Sequence, residues 1–540
     1  MSASTATVSP GRSFGRSASI VGLAFIASRV LGLAREVILA RQFGTTGEYD
    51  AYVSAFRIPD LLFLIVMSGA FGAAFIPVFA GFLARDEQDR AWRLASAVLT
   101  LSAVTMVALS CITFALAAPI MQYLVAPDLP SHLHEVATET MRILLLSPIL
   151  LGLGIAAKGI LEAQEQFTLP ALAPVFYNAA IIVAAVTVSS RWGVRGVAAG
   201  VVVGAGLHVL VQLPGLIRSG IRFTPTLDTS VAGLTEVGRL LLPRIIGLAA
   251  FQINFIVVNY LASGDGEGKI SALNYAWQLM MLPHGVLAMS ISTVVFPAMS
   301  RLFEQGDLDG VRRTFLHALE PLLLLILPAS LGLFLFRTAI VQTVFEAGEF
   351  SGRSTHLVTD PLAFLAIGLI WYALVELLTR IFYAMHDTVT PVVSGVFIIV
   401  VNIVLGSILV GRLGHAGLGL SLSVSTAIEA GILLWVMRRR LGRFDPEFVS
   451  WFGKVAVSSA AMALAALAMR RALEDATVPG EAPRLLQIAL LGYGMALVAG
   501  IFFLAAYYLR IPEVVRGADV VARRVQRLLG PRAPSVRDTQ

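Results

Sequence analysis

One cysteine, Cys111, stands in 540 residues, so the chain closes no disulfide within itself and its redox compartment leaves no trace in the sequence. Charge is scarce as well: 14% of residues are Asp, Glu, Lys or Arg, against 57% hydrophobic. A soluble fold of this length has too little polar surface to cover such a core, and a mean hydropathy of +0.81 belongs to a chain that crosses a membrane many times. No cluster has metal-ligand spacing, no glycine loop follows a strand to cradle a nucleotide, and no nucleophile stands in a known base pattern. The eight histidines are scattered. These absences argue against an enzyme and against ATP-driven pumping. No metal or cofactor is expected, and any uphill movement must draw on an ion gradient or the membrane potential. The opening eighteen residues, rich in Ser, Thr and Gly with Arg12 and Arg16, lack a processing site, so no cleaved leader is expected. The net charge of +6 needs no nucleic acid, because most basic residues fall in short loops and in the tail, where membrane topology uses them.

What is present is a succession of apolar runs separated by polar breaks. They predict an all-α polytopic membrane protein with about fourteen transmembrane helices between residues 20 and 509. The second run carries Pro59 and Pro77 with Gly69 and Gly72 between them, which predicts a kinked helix. With the amino terminus in the cytoplasm, Arg85, Arg90 and Arg93, then Arg218 and Arg222, Arg312 and Arg313, and Arg438, Arg439 and Arg440 all fall on the cytoplasmic side. The tail adds Arg510, Arg516, Arg523, Arg524 and Arg527. Loops 44–50 and 125–135 on the opposite side carry no Lys or Arg, while the loop with Arg470, Arg471 and Arg484 breaks the pattern. Both termini are therefore expected in the cytoplasm.

The chain also repeats itself at one offset. Gln166-Phe167-Thr168-Leu169-Pro170 resembles Asp387-Thr388-Val389-Thr390-Pro391, with the prolines 221 positions apart. At the same spacing Gly193-Val194-Arg195-Gly196 meets Gly414-His415-Ala416-Gly417, and Ala51–Phe56 meets Ala272–Trp277. Three matches at one offset predict two parallel six-helix lobes followed by two extra helices. The expected boundaries are a disordered cytoplasmic start at 1–17, a first lobe at 18–217, a linker at 218–235, and a second lobe at 236–440. The added helices follow at 441–510 and a basic cytoplasmic tail at 511–540.

Charge inside the apolar runs is the informative part. In the first run, Ser28-Arg29-Val30-Leu31-Gly32-Leu33-Ala34-Arg35-Glu36 places Arg29, Gly32, Arg35 and Glu36 within one arc of about 120° on a helix. Each such charge costs roughly 2.5–3.5 kcal/mol on insertion scales and normally faces a protein interior or a wet cavity. The arc is read as lining a polar cavity that receives an anion. The alternative is that Arg35 snorkels to a membrane surface, with Arg29 and Glu36 as a structural pair. The second lobe has Ala250 and Ile256 at the equivalent positions, so the arc belongs to the first lobe alone.

Elsewhere the readings divide. Asp50 stands where a helix cap is common, and Arg57 is either interfacial or cavity-lining. Glu376 and Arg380, four apart on one face of the tenth run, either neutralise each other or border a transport path. Asn402 suits a helix–helix hydrogen bond or an ion ligand, and Arg244, beside Pro243, suits the interface or a cavity wall.

The first-run block is followed by Phe43-Gly44, Asp50-Ala51, Ile58-Pro59-Asp60-Leu61-Leu62, Gly69-Ala70-Phe71 and Ala74-Phe75-Ile76-Pro77. Farther on stand Asn274-Tyr275-Ala276, Leu282-Pro283, Gly285-Val286, Phe296-Pro297, and Arg380-Ile381-Phe382-Tyr383-Ala384 with Asp387-Thr388 and Thr390-Pro391. In these blocks, over residues 18–440, the chain resembles the MurJ (MviN) lipid II flippases, in the superfamily that also holds the MATE exporters.

The resemblance implies two lobes in a MATE-like V and an alternating-access carrier in the bacterial plasma membrane. It would act as a monomer among membrane lipids, moving an undecaprenyl-diphosphate-linked disaccharide-pentapeptide to the outer leaflet. It implies that Arg29 and Arg35 engage the diphosphate and head group, that Glu36 sets their geometry, and that Arg380 contributes from the second lobe. Asp50, Arg57 and Glu376 complete the candidate head-group set, with Asn402 and Gln278 as a possible polar cavity or ion site. The two extra helices would form a groove for the lipid tail.

The chain departs from the family pattern at several positions. Phe63, Leu64 and Ser68 stand where some members carry an Arg pair and an acid, and Gln278 replaces an Arg. Near Asn402, Val258 and Gly406 replace the carboxylates of a sodium site. Other readings are a flippase for another polyprenyl-diphosphate glycan, a MATE-like drug exporter, whose cavity would be acidic, and a non-transporting scaffold.

Overall fold

The computed structural model describes residues 10–68, 75–442, 446–476 and 483–529. Among them every regular element is a helix. An apolar surrounding requires this, because with no water at hand a spanning segment must satisfy its own N–H and C=O groups. Eleven helices are long and apolar enough to cross a membrane, from Gln88–Ala115 to Arg484–Tyr508. Three further stretches carry more polar residues. They are α1 (Pro10–Phe43), α2 (Gly47–Phe63) with its continuation, and Leu234–Ser263, whose apolar part is Phe251–Ser263.

Where it is described, the second run departs from a plain α-helix. Pro59 lies within α2, which widens into a π-helical turn at Leu64–Ser68, and Pro77 sits in the first turn of α3 (Ile76–Ala84). Proline removes one rung of the hydrogen-bond ladder, and a π turn is a common way to absorb such a mismatch. Gly69 and Gly72 lie outside the described residues, as does the side chain of Arg244.

The chain forms two compact units. The first holds Met1–Gln278, Val344–Leu362 and Val392–Ser425. Within it α1 packs along Thr168–Thr187. At one end of this unit the loops after α1, after Leu234–Ser263 and before Gly352–Ala384 are knotted together. Asp50, only 1% exposed, accepts from the backbone N–H of Gly268 (2.6 Å) and of Ser271 (2.7 Å). It thereby caps the helix Lys269–Pro283 instead of its own, a charge-assisted replacement for orphan donors.

Around this cap the Gly47 N–H donates to Glu267 Oε1 (2.7 Å) and the Val194 N–H to Glu48 Oε1 (2.9 Å). Gly44, at φ +55°, brings its backbone against the Glu349 carbonyl, where a side chain would collide. Beneath the knot, Tyr49 stacks on Tyr275 with ring centroids 5.1 Å apart, and Tyr275 meets Phe345 and Phe350. Both tyrosines are fully buried.

The second unit holds Leu279–Thr343, Ala363–Pro391 and Thr426–Gln540. In it the helix Pro446–Ala476 packs against Arg484–Tyr508 and Leu308–Leu335, and Trp451 Nε1 donates to Glu513 Oε2 (2.8 Å) at the start of Pro512–Leu529. In the loop after Gly352–Ala384, Asp387 accepts from Arg440 Nη1 (2.7 Å) and from the Thr390 N–H (2.9 Å). Burial pushes this carboxyl up, but Thr390 and Arg440 outweigh it and hold it below the ordinary carboxylate range. The tie therefore persists at neutral pH and is lost as pH falls through that lowered value.

Replacing Asp50 with Ala strands two buried amides, each worth about 1.5–3 kcal/mol as a charge-assisted bond. Asp50→Ala should lower the thermal unfolding midpoint in detergent by several degrees. Thr45→Val, which loses one neutral hydroxyl contact to Ser354, should lower it far less. Equal midpoints for the two variants would remove Asp50 as the cap of the knot.

Candidate functional site

The charged arc of α1 lies in the first unit, and its members have unequal surroundings. Glu36 is buried at 6% exposure and both its carboxylate oxygens are engaged. Oε1 accepts from Arg35 Nε (3.1 Å) and Nη2 (2.5 Å), and Oε2 accepts from Gln278 Nε2 (2.8 Å). Arg35 also donates through Nη1 to Asn178 Oδ1 (3.1 Å), while the Asn178 amide donates to the Pro174 carbonyl (3.0 Å). The phenols of Tyr177 and Tyr52 stand beside the same guanidinium. Three elements thus converge: α1, Thr168–Thr187 and Lys269–Pro283. A single Arg–Glu pair in an apolar helix is costly unless its remaining donors and acceptors are satisfied, and here neutral amides supply that service.

Arg29 differs. It is exposed, its guanidinium rests over the Phe25 ring at 5.3 Å, and no carboxylate pairs with it among the described residues. One turn on, a Cβ at Gly32 would meet nothing within 4 Å, so no side chain fills the face between Arg29 and Arg35. The face therefore offers one guanidinium with no carboxylate partner among the described residues and one that is held in place with donors to spare. Such planar, permanently charged forks suit an anion with several oxygens.

The other sequence candidates fall in different places. Arg57 is half-buried in the first unit, donating from Nε to Asn259 Oδ1 (3.3 Å), with its guanidinium over Phe255 at 5.5 Å. Asp50 belongs to the loop knot, with both oxygens committed to backbone donors. Asn402 donates to Asn254 Oδ1 (2.7 Å), a neutral amide pair between Val389–Leu413 and Leu234–Ser263, and Gly406 one turn along packs near Leu261 and Leu418. Glu376 and Arg380 lie in the second unit, where Glu376 Oε1 accepts from Arg380 Nε (3.2 Å) and Nη2 (3.1 Å). That pair satisfies itself along one helix face.

Sequence reasoning missed Asn178 and Asn259, though Asn178 stands as an isolated amide within an apolar run and Asn259 follows Gln252 and Asn254 in another, which is a usable signal. Gln278 was expected as a departure from the family pattern and, with Asn402, as a possible polar cavity or ion site; in place it is the second partner of Glu36, while Asn402 pairs with Asn254.

A sequence profile described as Lipid II flippase MurJ matches residues 39–487. The lipid II flippase MurJ of Burkholderia cenocepacia is 32% identical over 486 residues, which cover 88% of this chain and 93% of that one. A probable lipid II flippase MurJ from Rhizobium meliloti is 31% identical over 462 residues, covering 82% and 84%. Among solved structures, a lipid II flippase MurJ in an inward closed conformation matches with a TM-score of 0.72 at 23% identity, covering 89% of this chain and 98% of that one. An inward-facing MATE family multidrug transporter matches at 0.65 and 17% identity, covering 77% and 94%. The structural likenesses establish an all-α, multi-pass membrane fold shared with both transporter groups. The profile and the identity over most of the chain go further: this protein belongs to the MurJ family of lipid II flippases.

Proposed function

We propose that the protein is an alternating-access flippase that carries a polyprenyl-diphosphate-linked glycopeptide, lipid II, from the cytoplasmic to the outer leaflet of a bacterial plasma membrane. Both termini are cytoplasmic on this reading, as the distribution of Arg between alternate loops supports. The observation that carries it is the face of α1 on which a free Arg29 and a braced Arg35 flank the open space at Gly32. Arg29 and Arg35 take the diphosphate, and Glu36, Gln278 and Asn178 hold Arg35 in register. The function for which the family is named supports the substrate class, and the cationic character of the face argues against a drug exporter that would need acidic walls. Membrane potential or an ion gradient drives the cycle, and the protein works as a carrier without catalytic residues.

A carrier must release what it binds, so the partial neutralisation of Arg35 by Glu36 is part of the mechanism. Removing the negative charge while keeping the hydrogen-bonding shape strengthens capture and slows release.

Arg29→Ala and Arg35→Ala should each abolish rescue of a cell depleted of its own lipid II flippase, while the proteins accumulate in the membrane at normal levels. Full rescue by both would defeat the assignment of α1 as the head-group site. Rescue failure by the unaltered chain, with expression verified, would shift the substrate to another polyprenyl-diphosphate glycan. Glu36→Gln should bind the lipid about tenfold more tightly and turn over more slowly. Weaker binding would show that Glu36 acts only as a brace.

A further inference from the structure

A cavity of about 220 Å³ lies wholly within the first unit, between α2 and the helices Leu234–Ser263, Lys269–Pro283 and His415–Leu441. Its polar wall is made by Arg57, Gln252, Asn259 and Asn274, and Phe255 and Trp277 contribute the apolar side. It is smaller than the roughly 300–1,000 Å³ of pockets that enclose a drug-sized ligand, so it takes one end group of a large substrate, not the whole head.

The chemistry of the wall is specific. Arg57 is the one cation among its lining residues and no carboxylate is among them; Asp60, three positions on along α2, lies near enough to act on the guanidinium from outside the lining. The guanidinium is pinned twice, through Nε to Asn259 (3.3 Å) and by stacking over Phe255. Asn259 is itself fixed, since its amide donates to Ser54 Oγ (2.9 Å) and to the Val125 carbonyl (3.1 Å). Both Nη groups of Arg57 are left without a partner among the described residues, as are the side-chain amides of Gln252 and Asn274. Donors left unused on a half-buried guanidinium cost free energy unless water or a ligand accepts them. One guanidinium balances one negative charge. A diphosphate calls for at least two, whereas a carboxylate fits a single planar fork. Flanking amides are suited to the N–H and C=O groups of a peptide, and the indole and phenyl faces to its aliphatic side chain.

The geometry points to a second subsite in which Arg57 takes the terminal carboxylate of the substrate's peptide, with Gln252 and Asn274 reading the adjoining peptide bond. This rests on the flippase reading above and separates the two anionic ends of the substrate: diphosphate at Arg29 and Arg35, carboxylate at Arg57. The two subsites share the helix Lys269–Pro283, where Trp277 lines the pocket and the next residue, Gln278, holds Glu36.

The test uses the full chain in lipid nanodiscs and two probes: a polyprenyl-diphosphate glycopeptide with a free terminal carboxylate, and the same lipid with that carboxylate converted to an amide. The unaltered protein should bind the free acid about tenfold more tightly. Arg57→Gln should bind both forms alike, at the strength the unaltered protein shows for the amide. Arg35→Ala should weaken both forms and leave the preference intact. Equal binding of the two probes by the unaltered protein, or a preference that survives Arg57→Gln, overturns the subsite. Binding of neither probe by the unaltered protein overturns the flippase reading and the subsite with it. Because Arg57→Gln also removes the partner of Asn259, Asn274→Ala provides the second reading. It leaves the Arg57 clamp untouched and should weaken both probes about threefold, with the preference intact and the unfolding midpoint unchanged. Unchanged binding of both probes by Asn274→Ala at that midpoint counts against the subsite.

Discussion

The constraint on which the first unit depends is that Arg35 must remain charged in an apolar helix. A guanidinium does not escape the cost of burial by losing its proton, so the protein has to bring partners to it. Glu36 supplies the counter-charge from the same helix, Asn178 accepts from the next, and Gln278 arrives from a helix more than 200 positions along the chain to occupy the second oxygen of Glu36. Every one of these side chains is fixed by another, and together they fix how α1 meets two neighbours. The arrangement leaves Arg29 outside the network, and with Gly32 it gives the face its openness.

Much of this was legible in the sequence. The apolar runs gave the helices because in lipid a helix is the only spanning form that satisfies its own backbone without closing into a barrel. The period of 3.6 placed Arg29, Arg35 and Glu36 on one face, and the prolines at 59 and 77 flagged a run that is not a plain α-helix, Pro59 standing shortly before its π turn. What was not legible is which distant residue meets which. Asp50 reads as the cap of the helix it precedes, since the local rule considers only neighbours in sequence, yet its oxygens are taken by Gly268 and Ser271. Asn402 was open between a helix–helix contact and an ion ligand, and its bond to Asn254 depends on the register of two helices that no local pattern encodes. Glu376 and Arg380 needed only i,i+4 spacing, and their pairing was visible beforehand.

A neutral amide at Gln278 has a physical sense here. An arginine at that position would give Glu36 two cationic partners and leave it no longer tempering Arg35 alone. The amide keeps the hydrogen bond at 2.8 Å and adds no charge. Positive charge in the unit is instead dispersed: one guanidinium free on α1, one braced beside it, and one on α2 facing its own cavity. Dispersal matters for a carrier, because concentrated charge would bind an anion too firmly to let it leave.

The cap made by Asp50 also has a consequence for biosynthesis. Its nearer backbone partner lies 218 residues downstream. At about 5–20 residues per second, the ribosome takes roughly ten to forty seconds to deliver Gly268 after Asp50 has emerged. Throughout that interval the carboxylate has no acceptor role to fill and the Tyr49 ring has no Tyr275 to cover it. The loop knot therefore cannot close until half the chain has been made. A chain stalled or cleaved before residue 268 would present a hydrated, half-built edge for quality control to recognise.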